Sequence, residues 1–198
     1  MKAIRRQSSR ITVLLATGAF LAGCVAERHA RVGMVYERDL EPGHPVPDFS
    51  FVGEDGKVET FSHVRSVVTI VALPDDPDWP NCHLCKQIEQ LASRLTVTTT
   101  PISVVSIGSP SKPCEDAAST LHECRIKGYA QLTAVCDYEG CIRRLYGPNS
   151  AGKFFVVDFS GRISAEGRIT DLAAMEQAVR VAVDEHERYW ESLYPSDD

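Results

Sequence analysis

The sequence predicts an α/β domain with a mixed central sheet and helices on both of its faces. Val67-Val68-Thr69-Ile70-Val71-Ala72-Leu73 is a mainly apolar run without alternation, the pattern of a strand buried on both faces. Strand-like and helix-like segments alternate after it, and a hairpin and a closing helix complete the set. Between that run and the helical pattern Lys86–Leu95 stands Cys82-His83-Leu84-Cys85, a pair of cysteines at a strand-to-helix junction.

The elements follow in order. Lys2, Arg5, Arg6 and Arg10 precede the apolar stretch Ile11–Phe20, which is too short to span a bilayer comfortably and ends in small residues. Residues 1–23 are therefore expected to be a secretory signal. Leu21-Ala22-Gly23-Cys24 resembles a bacterial lipobox, which implies that Cys24 becomes the lipid-bearing first residue of the mature chain. Val25, where some bacteria use an aspartate for inner-membrane retention, points to the outer membrane. Residues 24–42 read as a tether leading into the Pro-rich stretch Glu41–Pro47, and residues 43–194 as the folded domain.

Phe49–Val52 and Val58–Phe61 flank an Asp55-Gly56 turn and are expected to form a hairpin. Ile102–Ile107 is a second apolar strand, and a helix from about Cys114 to Lys127 is opened by Pro113. Leu132–Val135 is a short strand, and Cys141–Tyr146 a short helix stopped by Gly147-Pro148. Phe154–Asp158 and Arg162–Ala165 make a second hairpin across Phe159-Ser160-Gly161. The last helix starts at Asp171, a favourable cap, and should bury Leu172, Met175, Val179, Ala182 and Val183. Tyr189, Trp190 and Tyr194 near its end are expected to pack, and His122 and His186 to lie on the surface or a helix face.

Charge removes one class of partner. Cleavage after residue 23 leaves 17 basic and 27 acidic residues, so the formal charge falls from −6 to −10. No basic cluster remains, and nucleic-acid binding has no electrostatic footprint. A membrane is expected to be reached through lipid on Cys24, not through a second spanning segment. The domain is thus expected outside the cytoplasm, in the cell envelope.

Chemistry is expected on sulfur, with no cofactor. Cys82 should lie at a helix N-terminus, where unpaired N–H groups and the helix dipole favour a thiolate. Cys85 follows one turn later, and a protonated His83 would add positive charge beside both. A static disulfide and a zinc half-site are the alternatives for this motif.

Six cysteines remain besides Cys24, an even number that suits disulfides in an exported domain. Cys114 and Cys124 are ten residues apart, about 15 Å in one straight helix. A disulfide needs Cα atoms within roughly 7 Å. Either that segment is not one helix or each cysteine pairs elsewhere. Cys136 and Cys141 bracket a loop short enough for a disulfide staple.

The order of elements, with a dithiol at the first strand-to-helix junction, resembles the thioredoxin fold in its redoxin/peroxiredoxin variant over residues 43–185. Gly43 with Pro47-Asp48-Phe49 looks like a redoxin opening. Asp137-Tyr138, Tyr146-Gly147 and Phe155-Val156-Val157-Asp158-Phe159-Ser160-Gly161 recur in that order in bacterial thiol peroxidases. The resemblance implies that Cys82 attacks and Cys85 resolves, with a redox protein or a small oxidant as partner. It also implies that a resolving cysteine can come from the region of Cys114 and Cys124.

Two positions depart from the peroxidase pattern. Trp79 stands where a Thr or Ser would hold the peroxide, and Gly152 where an Arg would, with Lys153 adjacent. No proline precedes the strand at Phe154, where thioredoxins place one. Redoxin-type copper chaperones add a His near that strand, and none occurs between residues 123 and 185. The expected activity is thiol–disulfide exchange. Hydroperoxide reduction and a non-enzymatic, disulfide-stapled lipoprotein are the alternatives.

Overall fold

The computed structural model describes residues 39–53, 57–76, 79, 82–96, 100–109, 132–137 and 140–194. Ser50–Val52 (β1) pairs antiparallel with Val58–Thr60 (β2), and the single helical turn Phe61–Val64 (α1) follows. Val68–Leu73 (β3) leads to His83–Leu95 (α2), then Ile102–Gly108 (β4) and Leu132–Cys136 (β5). Cys141–Arg144 (α3) precedes the hairpin Lys153–Val157 (β6) and Ile163–Arg168 (β7), and Leu172–Leu193 (α4) ends the order.

All six residues of β3 are buried, because it is the middle of a five-stranded sheet ordered β5-β4-β3-β6-β7. β3, β4 and β5 run parallel, whereas β6 is antiparallel to β3 and β7 to β6. Alternate residues of the strands then build two cores. Val68, Ile70, Ala72, Val104, Phe154 and Val156 meet Ile88, Leu91, Ala92 and Leu95 of α2 with Met175, Val179, Ala182 and Val183 of α4. On the other face Val71, Leu73, Val105, Ile107, Phe155 and Val157 meet Phe49, Phe51, Phe61, Ile142 and Tyr146. Helices therefore lie on both faces, as expected. The helix expected over 114–127 lies outside the described residues.

Local chemistry sets the element ends. Asp171 caps α4 by accepting from Ala174 N at 3.0 Å. At the β6–β7 turn, Asp158 Oδ1 accepts from the backbone of Ser160 and Arg162, and Gly161 supplies a left-handed residue with φ +80°.

Three expectations are corrected. The packed domain takes in Asp39 and Leu40, ahead of the expected start at 43. Leu40 is fully buried beside Tyr146, and Asp39 bonds Lys153 Nζ at 3.0 Å. Leu172 is only partly buried, since it sits in the first, peripheral turn of α4. Tyr189, Trp190 and Tyr194 remain 47–63% exposed: Tyr189 stacks on Phe159, and Trp190 makes tilted ring contacts with His186 and Tyr194, but none enters a buried core. His186 lies on a helix face and hydrogen-bonds Thr100 Oγ1 at 3.1 Å. Among the described residues no helix is long and apolar enough to cross a membrane.

The Cys136–Cys141 staple is also overturned. Cys136 is disulfide-bonded, but Cys141 is a thiol whose sulfur accepts from Arg144 Nη2 at 3.1 Å. Cys82 and Cys85 are thiols too, so the sulfur bonded to Cys136 lies outside the described residues, as do Cys24, Cys114 and Cys124. A carboxylate closes the loop instead. Asp137, 1% exposed, accepts from the N–H groups of Ile142 at 3.1 Å and Arg143 at 2.8 Å, satisfying the start of α3.

This cap makes a direct prediction. Asp137→Ala leaves two backbone donors without their acceptor and should cost about 2 kcal/mol, whereas Cys141→Ser should cost less than about 1 kcal/mol. Urea unfolding of the two variants, followed by circular dichroism, ranks them. A larger loss at Cys141 would contradict the assignment.

Candidate active site

β3 ends at Leu73, and the chain passes through Pro74, Asp75 and Asp76 towards α2. Arg143 of α3 grips this passage: its Nη2 donates to the carbonyl of Pro74, and its Nη1 lies 3.9 Å from Asp75. The carbonyl of Asp76 then accepts from Trp79 N at 3.2 Å. Cys82 is the N-cap of α2, with extended backbone (φ −64°, ψ 149°), and its sulfur accepts from Cys85 N at 3.4 Å. A sulfur thus occupies the place usually filled by a Ser or Asp oxygen.

The two sulfurs are 2.8 Å apart and hydrogen-bonded. The pKa of Cys82 is lowered to about 7, above all by the hydrogen bond from Cys85. Burial and the nearby Asp76 carboxylate work against it, while the N–H groups of Cys85 and Leu84 help. Cys82 is 3% exposed and Cys85 is fully buried. The sulfur expected to attack is therefore covered. Cys82 packs with Trp79, Cys85 and Ala134, and attack on an external sulfur requires that cover to open.

The floor under the pair is built across three strands. Register places Ala72 of β3, Ser106 of β4 and Ala134 of β5 side by side. Two small residues flank one hydroxyl, leaving room for a sulfur on that face. Ser106 Oγ is 2.9 Å from Trp79 Nε1 and 3.8 Å from Cys85 Sγ. Gly108, two residues along β4, makes space for Trp79, since a Cβ there would overlap the indole ring. Glu89, one turn after Cys85 on α2, is a buried carboxyl at 7% exposure.

The other expected site residues divide. Trp79 joins the dithiol, and His83 is exposed at the first position of α2. Lys153 does not join it. It pairs in register with Leu73, whose side chain belongs to the core away from α2, and its ammonium bonds Asp39 at 3.0 Å and Glu166 at 3.2 Å. Gly152 has φ +72°, and its N–H donates to Leu73 O at 2.7 Å. Among the described residues, no three His, Cys, Asp or Glu side chains are grouped to hold a metal ion.

Ser106, Gly108 and Arg143 were not singled out from the sequence. Ser106 left one trace, a hydroxyl in an apolar strand. Gly108 and Arg143 left none, because their partners lie 29 and 69 residues away in the chain.

Solved structures with this architecture fix the fold. A protein described as the thiol:disulfide interchange protein DsbE of Chlorobium tepidum matches with 25% identity and a TM-score of 0.54, over 73% of this chain and 99% of its own. The chain has the thioredoxin-like fold. A protein described as a disulfide isomerase of Bacteroides thetaiotaomicron matches at 20% identity and TM-score 0.54, over 76% of this chain and 98% of its own. A peroxiredoxin-like protein of Aquifex aeolicus matches at 14% identity and TM-score 0.51, over 73% and 88%. No protein-family model and no curated protein matches the sequence. The thioredoxin-like fold thus joins this chain to proteins named for thiol exchange and to proteins named for peroxide chemistry.

A pKa near 7 predicts how Cys82 reacts with pH. Its alkylation by iodoacetamide, read by peptide mass, should rise with pH through a midpoint near 7. Cys85→Ala removes the main donor and should move the midpoint up towards about 8.5. The same depression means that the reduced protein gains stability as pH rises from about 7 towards the unfolded value, and loses it on acidification through 7. A midpoint insensitive to Cys85→Ala would refute the hydrogen bond as its cause.

Proposed function

We propose that this chain is a membrane-anchored thiol–disulfide oxidoreductase whose Cys82/Cys85 dithiol exchanges electrons with a redox protein. The observation that carries the reading is the hydrogen-bonded pair of thiols at the N-terminus of α2, with the Cys82 pKa lowered to about 7. The likeness to the DsbE structure supports it. The signal expected at residues 1–23, with lipid expected on Cys24 and a tether leading to a domain that ends at residue 194, supports a site of action in the cell envelope.

The reaction balances on the two sulfurs. The Cys82 thiolate attacks a client disulfide, forming a mixed disulfide and expelling one client thiolate. Cys85, giving up its proton, then attacks the Cys82 sulfur and expels the other. Two electrons pass to the client, and Cys82–Cys85 becomes a disulfide. The reverse sequence oxidises a client dithiol. A pKa near 7 keeps about half of Cys82 ionised at neutral pH without making it a poor nucleophile.

The peroxidase reading has less support. Trp79 Nε1 is committed to Ser106, and Lys153 to two carboxylates, so neither is placed as a peroxide-oxygen donor.

Cys85→Ser should accumulate mixed disulfides through Cys82, while Cys82→Ser should accumulate none. Non-reducing electrophoresis after acid quench, with peptide mass assignment, reads both. The wild-type pair should react with hydrogen peroxide no faster than an ordinary thiol of similar pKa in stopped flow. Failure of Cys85→Ser to trap any disulfide at Cys82, even with a small disulfide reagent, would sink the exchange mechanism.

A further inference from the structure

Ser106 is a buried hydroxyl, 1% exposed, on the sheet face beneath the dithiol. Its neighbours in register, Ala72 and Ala134, have no polar side-chain atom to offer it. Among the described residues its Oγ has two hydrogen-bonding neighbours, Trp79 Nε1 at 2.9 Å and Cys85 Sγ at 3.8 Å. An indole N–H only donates, so Ser106 accepts from Trp79. Among the described residues its own proton then has one acceptor in reach, Cys85 Sγ. Trp79 orients the hydroxyl, and Gly108 makes room for Trp79.

We propose that Ser106, oriented by Trp79, is a donor that stabilises the buried Cys85 sulfur when it carries negative charge. The inference rests on the exchange reaction above and assigns a role within it. When the Cys82 mixed disulfide resolves, the Cys85 proton leaves for the expelled thiolate or solvent, and the Cys85 thiolate attacks Cys82 Sγ. In the reverse direction a donor thiolate attacks Cys82 Sγ, the Cys82–Cys85 bond breaks, and Cys85 departs as the thiolate. Both directions place charge on a sulfur that water does not reach, since Cys85 is fully buried. A buried anion needs donors from the protein.

The carboxylates nearby oppose that anion, while the basic side chains beside it on α2, His83 and Lys86, are exposed to solvent. Glu89 follows one turn after Cys85 on α2, and Asp76 lies in the passage from β3; each in its carboxylate form repels a thiolate. β4 contributes the hydroxyl of Ser106, and β5 contributes Ala134 and the disulfide-bonded Cys136. Cys82, at 2.8 Å, is already joined to the departing or attacking group in the mixed disulfide, so it no longer supplies a proton. Among the described residues, Ser106 Oγ is a side-chain donor within reach of Cys85 Sγ.

The test follows the two steps separately in the full-length protein. Reduced protein is mixed with 5,5′-dithiobis(2-nitrobenzoate), quenched with acid, and analysed by peptide mass. This resolves the Cys82 mixed disulfide from the Cys82–Cys85 disulfide and from Cys141. Ser106→Ala should leave the first step unchanged and raise the pH midpoint of the second by about one unit. At neutral pH the second step should slow about threefold, because the more basic thiolate is scarcer but more nucleophilic. Trp79→Phe should shift the midpoint in the same direction, and Ser106→Thr should restore it. An unshifted midpoint in Ser106→Ala with the first step intact overturns the assignment. So does a shift that Ser106→Thr leaves in place, which would trace the effect to packing. No Cys82 mixed disulfide in the wild-type protein would remove the exchange reaction itself.

Discussion

Burial of β3 on both faces is the constraint on which the rest of this structure depends. Six consecutive residues without exposure require a layer on each side of the sheet, and two separate cores supply them. Apolar area removed from water at about 25 cal/mol per Å² is the main term holding those layers in place. With β3 fixed, its C-terminal end can aim the following passage, and α2 can start only where that passage delivers it. The dithiol stands at that start, at the edge of the buried sheet.

The register of the sheet then allows a polar group to be placed beneath the sulfurs. A buried hydroxyl is tolerated when it is hydrogen-bonded, and the Trp79 indole provides that bond. Small residues on the neighbouring strands leave the space, and Gly108 admits the indole. Arg143 reaches from α3 on the opposite face to hold the passage before the dithiol, while Asp137 holds the N-terminus of α3. The site therefore draws on both cores, although its sulfurs lie in one small cluster.

Much of the framework was legible because it is written in local patterns. The apolar run at 67–73, the helical spacing after Cys85 and the turn at 158–161 are read within a few residues, and each became the element expected. The position of Cys82 at a helix start was legible for the same reason. Lys153 was misplaced because neighbouring strand residues point to opposite faces, so proximity in sequence to Gly152 says nothing about which side a charge occupies. The staple at Cys136 and Cys141 was misread because a short loop permits a disulfide without requiring one. Asp137, inside that loop, satisfies the helix end with a carboxylate instead.

By itself the sequence determined the α/β alternation, the buried central strand and the dithiol at a strand-to-helix junction, since periodicity and motif spacing are properties of contiguous chain. Tertiary structure alone decided which side chains surround the sulfurs. Ser106 follows Cys85 by 21 residues and Trp79 by 27, and only strand register brings the three together. Register is set by packing over the whole sheet, where a one-residue slip would turn Ser106 to the opposite face.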